Sequence, residues 1–325
     1  MTTATSTTTT SRYAKVIEIS KRVRWEIERD LIRGRDFDYG RPFLPEGLSL
    51  ADELEFLDAG DRRLLSQVQG RTYAYMFGLA ERFISAKIME IGHARAFGDQ
   101  VEMEALVRMT DEELKHQALF RRLEDMMAAG MPAGYRKTAE PNAVAQAVLA
   151  GSTWAVLALT LHIERFTQAH YRASIGPDEA LCPLWKDVFL FHWREEAQHT
   201  VLDELEFLRA DDQVDAAARD AAVDDLIGLV GAFDAILQGQ ATADAAYFCA
   251  LAGTPIDVLR QRRIEGLILK AYRWQYLVSG FMEPRFRKIL FSCLDDAQAI
   301  RVRNAMAPLV YAVPQQAAVF DAMAA

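Results

Sequence analysis

The sequence predicts an all-α protein whose centre is a four-helix bundle, and three observations carry that prediction. Helix breakers are scarce, with 18 Gly and 10 Pro in 325 residues, about 9% against a usual ~12%. Strict apolar–polar alternation, the mark of a half-buried strand, is almost absent. Four long segments between residues 61 and 210 place glutamates and histidines at helical spacing.

In chain order, residues 1–11 are nearly all Thr, Ser and Ala. That composition predicts a disordered tail and has neither the basic nor the apolar region of a secretory signal. Residues 12–33 predict a charged helix. Gly34, Gly40, Pro42, Pro45 and Gly47 predict a surface loop over 34–50, with a short helix over 49–57. A long helix is expected over 61–97, stopped by Gly98. A second spans 99–129 and is closed by Gly130 and Pro132. A third runs over 141–174, opened by Pro141 in the first turn, where its missing N–H does no harm. After Gly176, Pro177 and Pro183, a fourth spans 184–210. Further helices are expected over 214–238, 255–280, 284–293 and 295–307. Alone these would leave apolar faces wet, so they are expected to pack on the bundle. The result is a single all-helical domain over 12–325, with 61–210 as its metal-binding core and 211–325 as a C-terminal extension.

Composition narrows the function. Hydrophobic residues are 51% and charged residues 26%, which excludes a disordered or fibrous chain. A net charge of −9 argues against a nucleic-acid partner, which needs an electropositive face. No apolar run is long enough to span a membrane. Cys182, Cys249 and Cys293 are three widely spaced thiols with no CxxC, which argues against a disulfide framework or zinc ribbon and for a reducing, cytoplasmic address.

The chemistry lies in Glu-x-x-His, which occurs as Glu90–His93, Glu113–His116 and Glu196–His199. A spacing of three puts carboxylate and imidazole on one helical face. Composition alone gives about 0.4 occurrences. Glu81 precedes Glu113 by 32 residues, and Glu164 precedes Glu196 by 32. A Glu helix followed by a Glu-x-x-His helix is therefore repeated. Glu90 is half a turn out of phase with Glu81, so the first motif reads as coincidence. From Glu81 to its helix end is a rise of about 24 Å, and the return to Glu113 is about 21 Å. An antiparallel pair thus brings both carboxylates to one level, and the second pair closes likewise. Phe77, Ile84 and Ile88 share the face of Glu81; Leu157, Thr160, Leu161 and Thr167 share that of Glu164. Acids on apolar faces need compensation, from a metal pair or from a buried arginine.

Two Glu helices with two Glu-x-x-His helices resemble the ferritin-like di-iron carboxylate superfamily, the arrangement by which that superfamily is described. The resemblance covers 61–210. It implies two iron ions per chain, with manganese as the alternative, held by Glu81, Glu113, His116, Glu164, Glu196 and His199. His192, one turn before Glu196, extends the fourth-helix motif to His-x-x-x-Glu-x-x-His; Met109 occupies the equivalent place before Glu113. This resembles the arylamine N-oxygenases of the p-aminobenzoate type, in which a third histidine binds metal at this position. His192 otherwise reads as a core or outer histidine. Both repeats carry a preceding acid, Glu112 and Glu195, which the resemblance pairs with the imidazole of the opposite motif; the alternative is that both are solvated. Asp203, one turn after His199, is a further outer candidate. Oxygen and imidazole donors suit iron or manganese.

These readings imply an oxygenase that uses O2, an external electron donor and a small organic substrate, with N-oxygenation of an amine as the family's reaction. No catalytic side chain beyond the ligands and no flavin or nicotinamide fingerprint is expected. A homodimer follows from the resemblance only. Three alternatives stay open: a ferroxidase or iron-handling protein, a radical protein like a ribonucleotide reductase small subunit, and a non-catalytic helical interaction protein. Tyr73 and Tyr75 precede Glu81 without a mark that singles out either, and His170 has no partner readable from sequence. The oxygenase reading requires Glu81 and Glu164 to point inward, and a pocket beside the metals lined from the first and third helices.

Overall fold

The computed structural model describes residues 2–315 and is helical throughout, with no strand among the described residues. Helix α1 (Thr2–Arg22) leads to a π-helical turn (Ile27–Ile32) that closes at Arg33 and Gly34, both with positive φ. The short α2 (Glu46–Ser49) precedes α3 (Ala59–Ala94) and α4 (Gln100–Gly130). Then come α5 (Pro141–Leu149), α6 (Thr153–His170), α7 (Pro183–Asp212) and α8 (Ala216–Leu251). The chain ends with α9 (Val258–Arg273), α10 (Ser279–Met282), α11 (Pro284–Ser292) and α12 (Asp296–Met306).

Starts are set by local chemistry. Asp58, Asp99, Asp215 and Asp257 each accept a backbone N–H in the first turn of α3, α4, α8 and α9, satisfying donors that a helix end leaves free. Helix α3 packs along α4 and α6 along α7, while α3 meets α6 and α4 meets α7. These four form the four-helix bundle expected from the sequence. Helix α1 lies across α4 and α7, α5 covers α3, and α8 packs on α6 and α3.

The structure corrects five expectations. The tail expected to be disordered over 1–11 is helical from Thr2 onward; Met1 lies outside the described residues. Tyr13, Val16, Ile17 and Ser20 are buried against the bundle, and a helix once nucleated propagates at little cost. The helix expected over 12–33 stops at Arg22. The third helix is broken at Gly151, where the Ser152 hydroxyl accepts from Ala155 N–H and starts α6 afresh. The segment expected to end at 238 runs on to Leu251, because the Ala-rich stretch after Gly239 sustains it. The segment expected over 255–280 passes through a π-helical turn at Trp274–Val278 before α10.

Candidate metal centre

Bundle packing brings the two repeats to one level in the interior. Glu81 comes from α3, Glu113 and His116 from α4, Glu164 from α6, and His192, Glu196 and His199 from α7; all are buried. Two overlapping groups have one donor atom per residue, all within 4.8 Å of one another: Glu81, His116, His192 and Glu196, and Glu113, His116, Glu196 and His199. Glu164 belongs to neither group. It is buried on α6 and faces Glu196, whose charge, after burial itself, pushes the Glu164 carboxyl well above its ordinary range.

The contacts are tight. His116 Nδ1 lies 2.9 Å from Glu196 Oε1 and 3.5 Å from Glu81 Oε2. His192 Nε2 lies 3.0 Å from Glu81 Oε1 and 2.9 Å from Glu196 Oε1. His199 Nδ1 lies 2.6 Å from Glu196 Oε2 and 3.0 Å from Glu113 Oε1. Several of these approaches are close without being aligned as hydrogen bonds. Both oxygens of Glu113, Glu81 Oε2, Glu196 Oε1 and His116 Nδ1 are buried with no hydrogen-bond partner. Buried acceptors and imidazole nitrogens that converge without pairing are the donor set of a cation site. The residues present fit two divalent ions.

The far side of two imidazoles is fixed. His116 Nε2–H donates to Glu195 at 2.9 Å, and Glu195 also accepts from Lys115. His199 Nε2–H donates to Glu112 at 2.9 Å, and Glu112 further accepts from Ser20 and Gln198, each at 2.7 Å. Each acid holds the imidazole of the opposite motif, leaving Nδ1 turned inward. Such outer carboxylates orient a ligand histidine and raise its basicity. Asp203 is fully buried, and neither carboxyl oxygen has a partner.

The charges interlock. Burial alone would lift the Glu196 carboxyl, but His199, His192 and His116 hold it well below its ordinary range. Burial alone would lower His116 and His199, yet Glu196 above all raises both well above the usual imidazole value. Burial lifts Asp203. Protons shared among these groups balance the cluster's charge, and divalent cations are the natural replacement for them.

Residues that the sequence set apart fall as follows. Glu90 pairs with Lys87 on the surface and His93 is exposed, so the first Glu-x-x-His lies away from the centre. His162 donates from Nε2 to the Tyr276 carbonyl and packs on Phe281 and Phe286. Arg260, Arg262 and Arg263 lie near the outer end of α9, the last two exposed. Trp25 was not foreseen: its ring stacks on His116 at 6.2 Å between centroids, and Lys115 Nζ lies over the same ring, 4.2 Å from its centroid. Nothing in the local sequence links Trp25 to a histidine 91 positions later.

Two spaces adjoin the centre. Met76, Phe77 and Ala80 of α3 and Ile163 and Phe166 of α6 line a small apolar cavity, closed by Phe233 and Tyr276. Its walls are those expected, but it has room for about one water molecule. A larger open groove of about 250 Å³ runs between α3 and α4, edged by Tyr75, Arg82, Arg121, Glu124 and Lys137. Phe120 forms part of this groove and also meets the His192 ring, at 5.2 Å. A single aromatic layer thus separates groove and centre.

No protein-family model matches the chain, and no curated protein does. Among solved structures it is similar to R2-like ligand-binding oxidases. A variant with an aerobically reconstituted Mn/Fe cofactor aligns at a TM-score of 0.41 and 14% identity, covering 81% of this chain and 92% of that one. A long-soaked, aerobically reconstituted Mn/Fe form aligns at 0.41 and 13%, covering 81% and 91%. At that level of similarity the centre rests on this chain's own residues. Among the described residues, no helix is long and apolar enough to cross a membrane.

Proposed function

We propose that this chain is a non-haem oxygenase with a dinuclear metal centre, iron first and manganese second, acting on a small organic substrate. The observation that carries the reading is the pair of overlapping buried carboxylate–imidazole groups with outward nitrogens held by Glu195 and Glu112. Glu81, Glu113, His116, Glu164, His192, Glu196 and His199 would hold the ions. Bound there, the metals would supply electrons to O2 and make it an oxidant.

The protein's own part is positional. Glu196 faces all three imidazoles and, with His116, belongs to both halves. Glu195 and Glu112 hold the Nε2 protons of His116 and His199. His192 adds a neutral imidazole to the Glu81 half. The apolar wall from Met76 to Phe166 keeps bulk water away. Its size suits O2, and an organic molecule enters only when the walls move. The groove behind Phe120 is the approach for that molecule. With three imidazoles in the set, amines are the first substrates to screen, for N-oxygenation. Electrons come from an external donor; a homodimer and a cytoplasmic address complete the reading.

The test is elemental analysis after anaerobic loading with Fe(II) and desalting. About two irons per chain, followed by a transient visible band on adding O2, is the expected result. His192→Ala should alter the decay of that band. Wild-type protein that retains no metal would overturn the proposal.

A further inference from the structure

Tyr73 and His170 are buried polar residues that the metal centre does not use, yet Tyr73 stands one aromatic ring from it. The Tyr73 hydroxyl lies 2.9 Å from His170 Nδ1, and His170 Nε2 lies 2.8 Å from Ser279 Oγ. Ser279 spends its own proton on the Gln275 carbonyl at 3.1 Å. Its oxygen therefore accepts from His170, which fixes the proton on Nε2 and leaves Nδ1 as a bare acceptor. Tyr73 O–H must then donate to Nδ1. Burial, helped by His162, lowers His170 to about 3, and burial raises Tyr73, so both are neutral at rest.

The rings around the pair form a path. Tyr73 meets Phe77 at 4.9 Å between centroids, and Phe77 meets His192 at 5.2 Å. Outward, Tyr73 meets Tyr276 at 5.9 Å, and Tyr276 meets Tyr272 at 6.1 Å. The Tyr272 hydroxyl donates to the buried carboxylate of Asp244 at 2.5 Å.

We propose that Tyr73, with His170 as its proton acceptor, is a one-electron donor to the metal centre, and that Tyr272, with Asp244 as its proton acceptor and the Tyr276 ring as a bridge, continues the route outward. This rests on the oxygenase reading, because the oxidant is the metal centre after its reaction with O2. One electron leaves the Tyr73 ring by way of Phe77 and His192 and reduces the centre by one equivalent. The Tyr73 O–H bond breaks, and its proton forms a new N–H bond at His170 Nδ1. The products are a neutral tyrosyl radical and an imidazolium that still donates to Ser279. A buried imidazolium with no carboxylate bonded to it is costly, so the proton returns when an electron arrives from Tyr272 across the Tyr276 ring, the Tyr272 O–H proton passing to Asp244. The pair is a relay and not a store. It would carry an oxidising equivalent away from the ligands when no organic substrate is bound.

The test is freeze-quench electron paramagnetic resonance on Fe(II)-loaded protein mixed with O2 without organic substrate. The expected result is a transient tyrosyl signal that narrows with ring-deuterated tyrosine. It should be lost in Tyr73→Phe and form at least tenfold more slowly in His170→Gln, which can accept the hydrogen bond but not the proton. A signal unchanged in Tyr73→Phe overturns the proposal. So does the absence of a tyrosyl signal in protein that retains its iron and consumes O2, which leaves the metal centre standing. Failure to retain iron overturns both. Independently of metal, nitrogen-15 NMR of the metal-free protein should show His170 protonated at Nε2 with a hydrogen-bonded Nδ1; the opposite tautomer refutes the proposal.

Discussion

Replacing Glu195 by Leu removes the acceptor behind His116 and should weaken one of the two ions selectively. The His116–Glu195 hydrogen bond is 2.9 Å long, and both side chains are at most 1% exposed. A bond to a charged partner contributes about 1.5–3 kcal/mol, and losing it leaves Nε2–H buried and unpaired. At about 1.4 kcal/mol per factor of ten, the affinity falls about 10- to 150-fold, in line with losses of about 10–100-fold on removing outer partners of metal ligands. Glu195→Gln keeps an acceptor and drops the charge, so roughly a third to a half of that free energy should be lost. Lys115, 23% exposed on its side chain, can turn to solvent in either variant. Glu112→Leu should do the same to the ion on the His199 side. The assay is anaerobic equilibrium dialysis of Fe(II) or Mn(II), fitted for two sites, beside thermal unfolding of the metal-free variants. Two ions held with wild-type affinity in both Leu variants would refute the assignment of Glu195 and Glu112 as supports.

Three further outcomes follow. A Cβ on Gly280 would sit 2.3 Å from the His162 ring, so Gly280→Ala should destabilise the protein by about 1–3 kcal/mol, the usual range for overpacking; an unchanged melting temperature would contradict that packing. Burial pushes the Asp244 carboxyl up to about 7, against the opposing pull of Thr72, Tyr272 and Gln240. The folded state then binds this proton more tightly than the unfolded chain, so stability declines as pH rises from about 4 through about 7, by roughly 4 kcal/mol at most. In metal-loaded protein Asp244→Asn should flatten that decline, and an identical slope of melting temperature with pH would refute it. Because the carboxylates raise His116 and His199 in the metal-free protein, metal must displace protons, and dialysis should show affinity rising from pH ~6 to pH ~8; an affinity independent of pH would refute the shared-proton account.

The bundle and the convergence of its glutamates and histidines were legible because the information is periodic. Glu81 and Glu113, and Glu164 and Glu196, stand at equal spacing on helices with few breakers, and antiparallel packing carries that register into space. What was not legible depends on contacts between segments distant in sequence. The break at Gly151 is a competition between a weak helix former and a serine that caps a new start, and a periodic pattern does not decide it. The helicity of residues 2–11 is inherited from the docked turns that follow. The partners of His170, Tyr73 and Ser279, come from α3 and α10, and Trp25 meets His116 only because α1 crosses α4. Glu164, placed with the other ligands by spacing, lies beside Glu196 outside both tight groups; the repeat predicts its helix and face, while the final distance depends on side-chain arrangement.

Helix α1 docks on segments far from it in the chain. Ser20 waits for Glu112, Arg12 for Glu204 and Tyr13 for Glu206. Helix α4 gives α1 its first docking face, and α7, which carries His199 as well as the partners of Arg12 and Tyr13, completes it. The full carboxylate–imidazole set exists only once α7 has been made. Trimming α1 would take Ser20 from Glu112 and so loosen the acid that holds His199.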